Sequence, residues 1–189
     1  MLQKSSRAKA QAGAAPDTCI MLYSGRLFDL GDPEANEIEI EDIAHGLAHT
    51  CRYAGQCDGF YSVAEHSVHV SRVVPSAELA GLFHDAAEAF VGDVSAPLKR
   101  LLPEYSRIEK RVERAIFERF GIAWPPPAEV KYADLSVMAA ELQLLMPPGT
   151  NEWLRDRDVA PAKVRIGRLP PDQAKALFLE RYAELKEPR

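Results

Sequence analysis

From residue 41 onward, apolar residues recur at spacings of three and four, the period of helices buried along one face. The spacing predicts a first helix from Ile40 to Tyr53 and a second from about Ser62 to Val74, where Pro75 ends it. Val63, His66, Val70 and Val73 share the apolar stripe of that second helix. A third, capped by Ser76, runs to about Val91 and breaks at Gly92; from Leu79 onward it is almost entirely Leu, Phe, Ala, Gly or Val. Ser95-Ala96-Pro97-Leu98-Lys99 starts a short turn or helix. Pro103 to Phe120 reads as a long amphipathic helix with Ile108, Val112, Ile116 and Phe120 inward, stopped by Gly121. After Pro125-Pro126-Pro127, Ala128 to Leu145 is helical, with Val130, Ala133, Val137, Leu144 and Asp134 on one side. Pro147-Pro148-Gly149 closes it, and a long loop leads to a last helix after Pro171.

Only the start of the chain departs from this period. Ile20 to Leu30 reads as a short β-hairpin turning at Ser24-Gly25, with a loop at Gly31-Asp32-Pro33. Residues 1–18 are expected to be a disordered tail: Met1 to Pro16 are rich in Ala, Gln, Lys and Ser and lack a signal peptide's apolar run. The expected architecture is all-α, one helical-bundle domain over residues 19–189 with a short N-terminal β-hairpin.

A length of 189 residues suits one domain with a full core, and 47% hydrophobic with 27% charged residues is an ordinary globular balance. A net charge of −5 argues against a general binder of nucleic-acid polymers or membrane surfaces. No stretch approaches the roughly 18 apolar residues of a membrane span. Cys19, Cys51 and Cys57 form no CxxC pair and fit reduced thiols. A cytoplasmic protein is expected.

The third helix carries the unusual chemistry. His84, Asp85 and Glu88 stand within one and a half turns in an otherwise apolar run. Buried imidazoles and carboxylates are costly unless they are paired or bound to a metal. With His66 and Asp134, three helices each place a ligand type on an inward face. Such a nitrogen and oxygen set suits Zn, Mn, Fe, Co or Ni without choosing among them. Two histidines and two aspartates leave positions open for water and substrate, as catalytic sites do.

In this order, with Ala64-Glu65-His66-Ser67, His84-Asp85-Ala86-Ala87-Glu88, Gly92-Asp93 and Pro97-Leu98-Lys99 around them, these residues resemble the HD-domain metal-dependent phosphohydrolases. The bacterial 5′-deoxynucleotidases and their phage-encoded relatives are the most similar branch, over about Glu41 to Leu145. The resemblance implies an HD-domain bundle in which His66, His84, Asp85 and Asp134 bind one divalent transition metal. A water made more acidic by the cation then attacks phosphorus in line. Glu88 is implied as the group assisting that water or the leaving group. Asp93 holds the sugar or shares in proton transfer, and Lys99 meets the phosphate. Arg52 and Tyr53 stand where the branch carries an Arg-Trp pair touching phosphate and sugar. The guanidinium fits its role as a bidentate phosphate grip, and the tyrosine is a departure.

The implied activity is removal of the 5′-phosphate from (deoxy)ribonucleoside monophosphates, a small-molecule nucleotide substrate, with a homo-oligomer left open. Two alternatives stand beside it. One is a dNTP triphosphohydrolase releasing triphosphate from the same site, disfavoured by the acidic Glu88 and Asp93. The other is a non-catalytic nucleotide-binding HD module, which predicts a broken ligand where none is broken.

His45 and His49 have metal-ligand spacing but lack the glutamate of HExxH, so they are read as outside the metal site. His69 is expected on the helix surface, and Glu65 as a helix charge or a partner beside a ligand. Glu109, Lys110, Arg111, Glu113, Arg114 and Glu118 read as a solvated face, and Lys163, Arg165 and Arg168 as a solvated basic loop.

Overall fold

The computed structural model describes residues 17–150 and 159–187. Strands β1 (Cys19–Met21) and β2 (Leu27–Asp29) pair antiparallel, Cys19 opposite Asp29 and Met21 opposite Leu27. Among the contacts that fasten this hairpin to the helices, two reach buried residues. Phe28, fully buried, stacks on Phe90 with ring centroids 4.3 Å apart. Asp42 accepts hydrogen bonds from the Ser24 N–H and hydroxyl at 2.9 and 2.8 Å. Among the described residues the remaining regular elements are helical, as the spacing predicts. Of the expected tail, only Asp17 and Thr18 lie among the described residues, and the Thr18 hydroxyl donates to Asp29 at 2.6 Å.

Among the described residues the α-helices are α1 (Ile40–His49), α2 (Val63–Val73), α3 (Glu78–Phe83), α4 (Glu88–Val91), α5 (Ala96–Leu101), α6 (Pro103–Phe120), α7 (Ala128–Leu145) and α8 (Pro171–Lys186). Helix α2 is the axis: every residue from Tyr61 to Ser71 is buried, and α1, α3, α7 and α8 pack around it. Ser62 caps it by accepting from the Glu65 N–H at 3.1 Å. Burial all round makes His69 a buried residue, 6% exposed, and not the surface residue expected. A strap running into α8 covers that side, and Glu65 anchors it by accepting from the Gly167 and Leu169 N–H groups. Phe83, Phe120, Phe178 and Tyr182 form a ring cluster between α3, α6 and α8.

Three boundaries differ from the expected ones. The first helix stops at His49 rather than Tyr53. Thr50 turns extended, and its hydroxyl and N–H both bond back to the Gly46 carbonyl, at 2.9 and 3.0 Å. The chain then pairs with the lead-in to α2, Arg52 N–H to Tyr61 carbonyl at 2.9 Å and Val63 N–H to Thr50 carbonyl at 3.0 Å. The turn Arg52–Gly55 follows, with Tyr53 and Ala54 in the left-handed region at φ +58° and +51°. Non-glycine residues held there cost about 1–3 kcal/mol each and concentrate at functional sites.

The expected third helix is two helices. Between α3 and α4 the backbone tightens, with Ala86 N–H bonded to Phe83 carbonyl and Glu88 N–H to Asp85 carbonyl, both at 2.9 Å. Ser76 does not cap α3, because its hydroxyl donates to Glu129 of α7 at 2.8 Å. In α6 and α7, Ile108 and Leu144 are 39% and 56% exposed rather than inward. Glu109 and the pair Glu141 and Leu145 take the inward positions beside them.

No helix among the described residues is long and apolar enough to cross a membrane. Helix α4 packs closely against α1 at Gly46. A Cβ on Gly46 would lie 2.7 Å from the Ala89 carbonyl oxygen and 2.9 Å from its Cα. Gly46→Ala should therefore destabilise the protein by about 1–3 kcal/mol, the usual range for overpacking, measured by urea unfolding. An unchanged midpoint would show that α1 and α4 can part without loss.

Candidate metal centre

Helix α2, the tightened turn before α4, and the middle of α7 converge at one point. His66 Nε2 lies 3.2 Å from His84 Nε2, 3.2 Å from an Asp134 oxygen and 3.6 Å from an Asp85 oxygen. His84 Nε2 is 3.1 Å from Asp85 and 3.8 Å from Asp134. Donor atoms bound to one ion at about 2.0–2.2 Å stand roughly 3–3.5 Å apart, so the spacing is that of a ligand set. The buried group of His66, His84 and Asp85 could hold a metal ion.

The proton positions support this fit. His66 Nδ1 bonds to Glu141 at 2.6 Å and His84 Nδ1 to the Gly81 carbonyl at 2.8 Å. Both partners accept, so both Nδ1 atoms donate and both neutral rings present an Nε2 lone pair. Two lone pairs 3.2 Å apart, with carboxylates on either side, repel one another unless a proton or a metal cation sits among them. Burial and the Arg52 guanidinium push the His66 imidazole down. The Glu141 and Asp134 carboxylates outweigh them and raise it to about 9, another sign that this point attracts positive charge. Burial also opposes ionisation of Asp85, but His84 beside it holds that carboxyl below the usual range. Asp134 is held low despite its burial, by His66 and His84.

A cavity of about 410 Å³ opens over Asp85 and Asp134. Its lining includes Arg52, Tyr53, Glu88, Asp93 and Lys99, the remaining residues assigned to the site from the sequence. Arg52 is buried, its Nε donating to Glu141 at 3.1 Å and its Nη1 reaching Asp85 at 3.5 Å. Lys99 is paired with Glu109 at 2.5 Å and stands 3.6 Å from Glu88. Burial, then Asp85 and Asp93, push the Glu88 carboxyl well above its ordinary value, and its Oε2 is buried without a hydrogen-bond partner. Burial likewise raises Asp93.

Comparison with known proteins places the sequence without naming its chemistry. It is 39% identical over 173 residues to Uncharacterized protein YfdR of Escherichia coli (strain K12), covering 90% of this chain and 97% of that protein. The chain belongs to the YfdR family. It is also 37% identical over 180 residues to Uncharacterized protein RCAP_rcc00048 of Rhodobacter capsulatus, covering 85% of this chain and 92% of that protein. No family model matches the sequence.

Several residues of this YfdR-family site escape sequence reasoning. Glu141 is fully buried in α7 and accepts from Tyr53 and Tyr61 hydroxyls at 2.6 and 2.8 Å, besides Arg52 and His66. A signal was present: Glu141 follows Asp134 by two helical turns and interrupts an apolar run. Glu109 and Glu113, expected to be solvated, are half-buried. With Tyr105 they form the stripe of α6 that faces the site, where Glu113 meets His84 and Asp85 across a smaller cavity. His45 and His49 lie elsewhere, in a surface stack with Tyr23 at centroid distances of 3.9 and 4.1 Å. In the basic loop, Lys163 and Arg165 are exposed, but Arg168 pins the strap by bonding Asp58 and the Leu144 carbonyl.

A ligand set that ion binding relieves should make stability depend on the ion. Adding Mn²⁺, Co²⁺ or Zn²⁺ to chelator-stripped protein should raise Tm, by about 2.7 kcal/mol of stability at a hundred times Kd. Asp85→Ala should remove the response. Calorimetric scans of the two proteins check this, and a Tm indifferent to all three ions would refute it.

Proposed function

We propose that this protein is an HD-domain metal-dependent phosphohydrolase that removes the 5′-phosphate from (deoxy)ribonucleoside monophosphates. One observation carries the reading: four ligand side chains from three parts of the chain meet beneath a cavity whose wall bears Arg52. His66, His84, Asp85 and Asp134 would hold one divalent transition metal. When bound, that ion supplies Lewis acidity toward water and phosphate oxygens.

The rest falls to the chain's own side chains. A cation with two aspartates is close to neutral, so a dianionic phosphate requires more positive charge. Arg52 provides it at the cavity wall, already oriented by Glu141. Lys99 lies on the same wall beside Glu88. Hydrolysis joins a water oxygen to phosphorus and breaks the bond to the 5′-oxygen, which must leave with a proton. Glu88 is placed to hold that proton, since burial favours its neutral form and the free Oε2 belongs to a residue lining the cavity. Asp93 faces the same space, where it would hold the sugar or share in proton transfer.

Glu88→Gln should retain the metal and lower kcat by roughly 10²–10⁴-fold, the range for a lost acid–base group. Metal content and steady-state rates on one preparation check this; loss of the metal would make Glu88 a ligand instead. Product analysis decides the substrate. Inorganic phosphate from a panel of dNMPs and NMPs supports the reading, whereas triphosphate from dNTPs with monophosphates inert would transfer it to the triphosphohydrolase alternative.

A further inference from the structure

We infer that Glu141 is a positioning residue that sets the metal ligand His66 and the anion-binding Arg52 from one carboxylate. This rests on the metal-and-phosphate reading above and adds a residue to it. One oxygen, Oε1, takes the His66 Nδ1–H at 2.6 Å and the Tyr61 hydroxyl at 2.8 Å. The other, Oε2, takes the Arg52 Nε–H at 3.1 Å and the Tyr53 hydroxyl at 2.6 Å. Four donors on two oxygens leave each oxygen shared between one functional group and one tyrosine. The carboxylate is wholly buried, so water cannot replace any of the four.

Each half of this arrangement has a distinct consequence. On the Oε1 side, fixing the proton on Nδ1 keeps the His66 Nε2 lone pair directed at the other ligands. On the Oε2 side, a bond to Nε fixes the plane of the guanidinium and leaves its terminal nitrogens toward Asp85 and the cavity. Tyr53 reaches the same oxygen from a left-handed turn, so the strained backbone there is held by the carboxylate it serves. Burial alone would raise the Glu141 carboxyl, yet Arg52 and His66 hold it below its ordinary range and keep it an acceptor on both sides.

Glu141→Gln separates the two tasks, because an amide has one acceptor oxygen. In metal-free protein that oxygen turns to the charged guanidinium. The NH₂ then faces His66 Nδ1 and favours the tautomer with hydrogen on Nε2, which cannot ligate. A cation has to turn the amide round, after which the NH₂ opposes Arg52 Nε–H. Both affinities therefore fall. Mn²⁺ affinity, by chelator competition, should drop about 10–100-fold. Inorganic phosphate affinity of the Mn²⁺-saturated variant should drop about tenfold, the worth of roughly one charged hydrogen bond. In an Arg52→Ala background, Glu141→Gln should cause no further loss of phosphate binding. Circular dichroism and Tm establish that the variants are folded. Should Glu141→Gln fail to fold, Tyr61→Phe and Tyr53→Phe carry the test, the first weakening Mn²⁺ binding more than phosphate binding and the second the reverse. Either affinity staying within twofold of wild type in folded Glu141→Gln overturns the shared role, as does an equal phosphate loss without Arg52, or equal effects of the two tyrosine variants. None of these readouts uses a nucleotide, so inert nucleotides would sink the proposed activity and leave this inference standing.

Discussion

The candidate site depends on a carboxylate that no water reaches. Glu141 is surrounded by donors from the turn after α1, from the entry to α2 and from α2 itself. Removing an ionised carboxylate from water is strongly unfavourable unless charged partners and hydrogen bonds replace the lost hydration. Here Arg52 supplies the charge and His66 and two tyrosines the remaining bonds. The four groups are thereby confined to one relative arrangement, and the ligand set and the cavity wall inherit that precision.

Around this point the apolar helices act as insulation. Phe83, Ala86 and Ala87 pack the turn that carries His84 and Asp85, and Val130, Ala133 and Val137 pack the helix that carries Asp134. In such surroundings burial disfavours ionisation, which raises Glu88 and Asp93, while the strong fields of His84 and His66 hold Asp85 and Asp134 low within the same site. Carboxyls whose environments drive them apart can take different roles in the same reaction.

How much of this was legible in the sequence follows from what periodicity can and cannot encode. The spans of α2, α6, α7 and the hairpin follow from spacing, caps and proline stops, and the candidate ligands from their placement in apolar stripes. The early end of α1 was not legible: Thr50 to Arg52 is set by pairing with Tyr61 to Val63 farther along the chain, and local propensity favoured more helix there. His69, Glu109 and Glu113 were misjudged for a related reason. A polar residue beside a stripe is buried or exposed according to which element later covers it, and that is a tertiary fact. Glu141 went unnoticed because the motif ends at Asp134, although an acid in an apolar run was itself a warning.

The bonds around Glu141 also join parts of the chain made at very different times. Arg52 and Glu141 are 89 residues apart in sequence, His66 and Glu141 are 75 apart, and the strap held by Glu65 lies 102 residues beyond it. Closing loops of this length precedes the contacts that reward it, which slows folding. During synthesis, α1 to α6 can emerge and collapse while Arg52 and His66 still lack their acceptor. The site is completed only when α7 docks, so a nascent chain shorter than this leaves Arg52 Nε and His66 Nδ1 without their Glu141 acceptor.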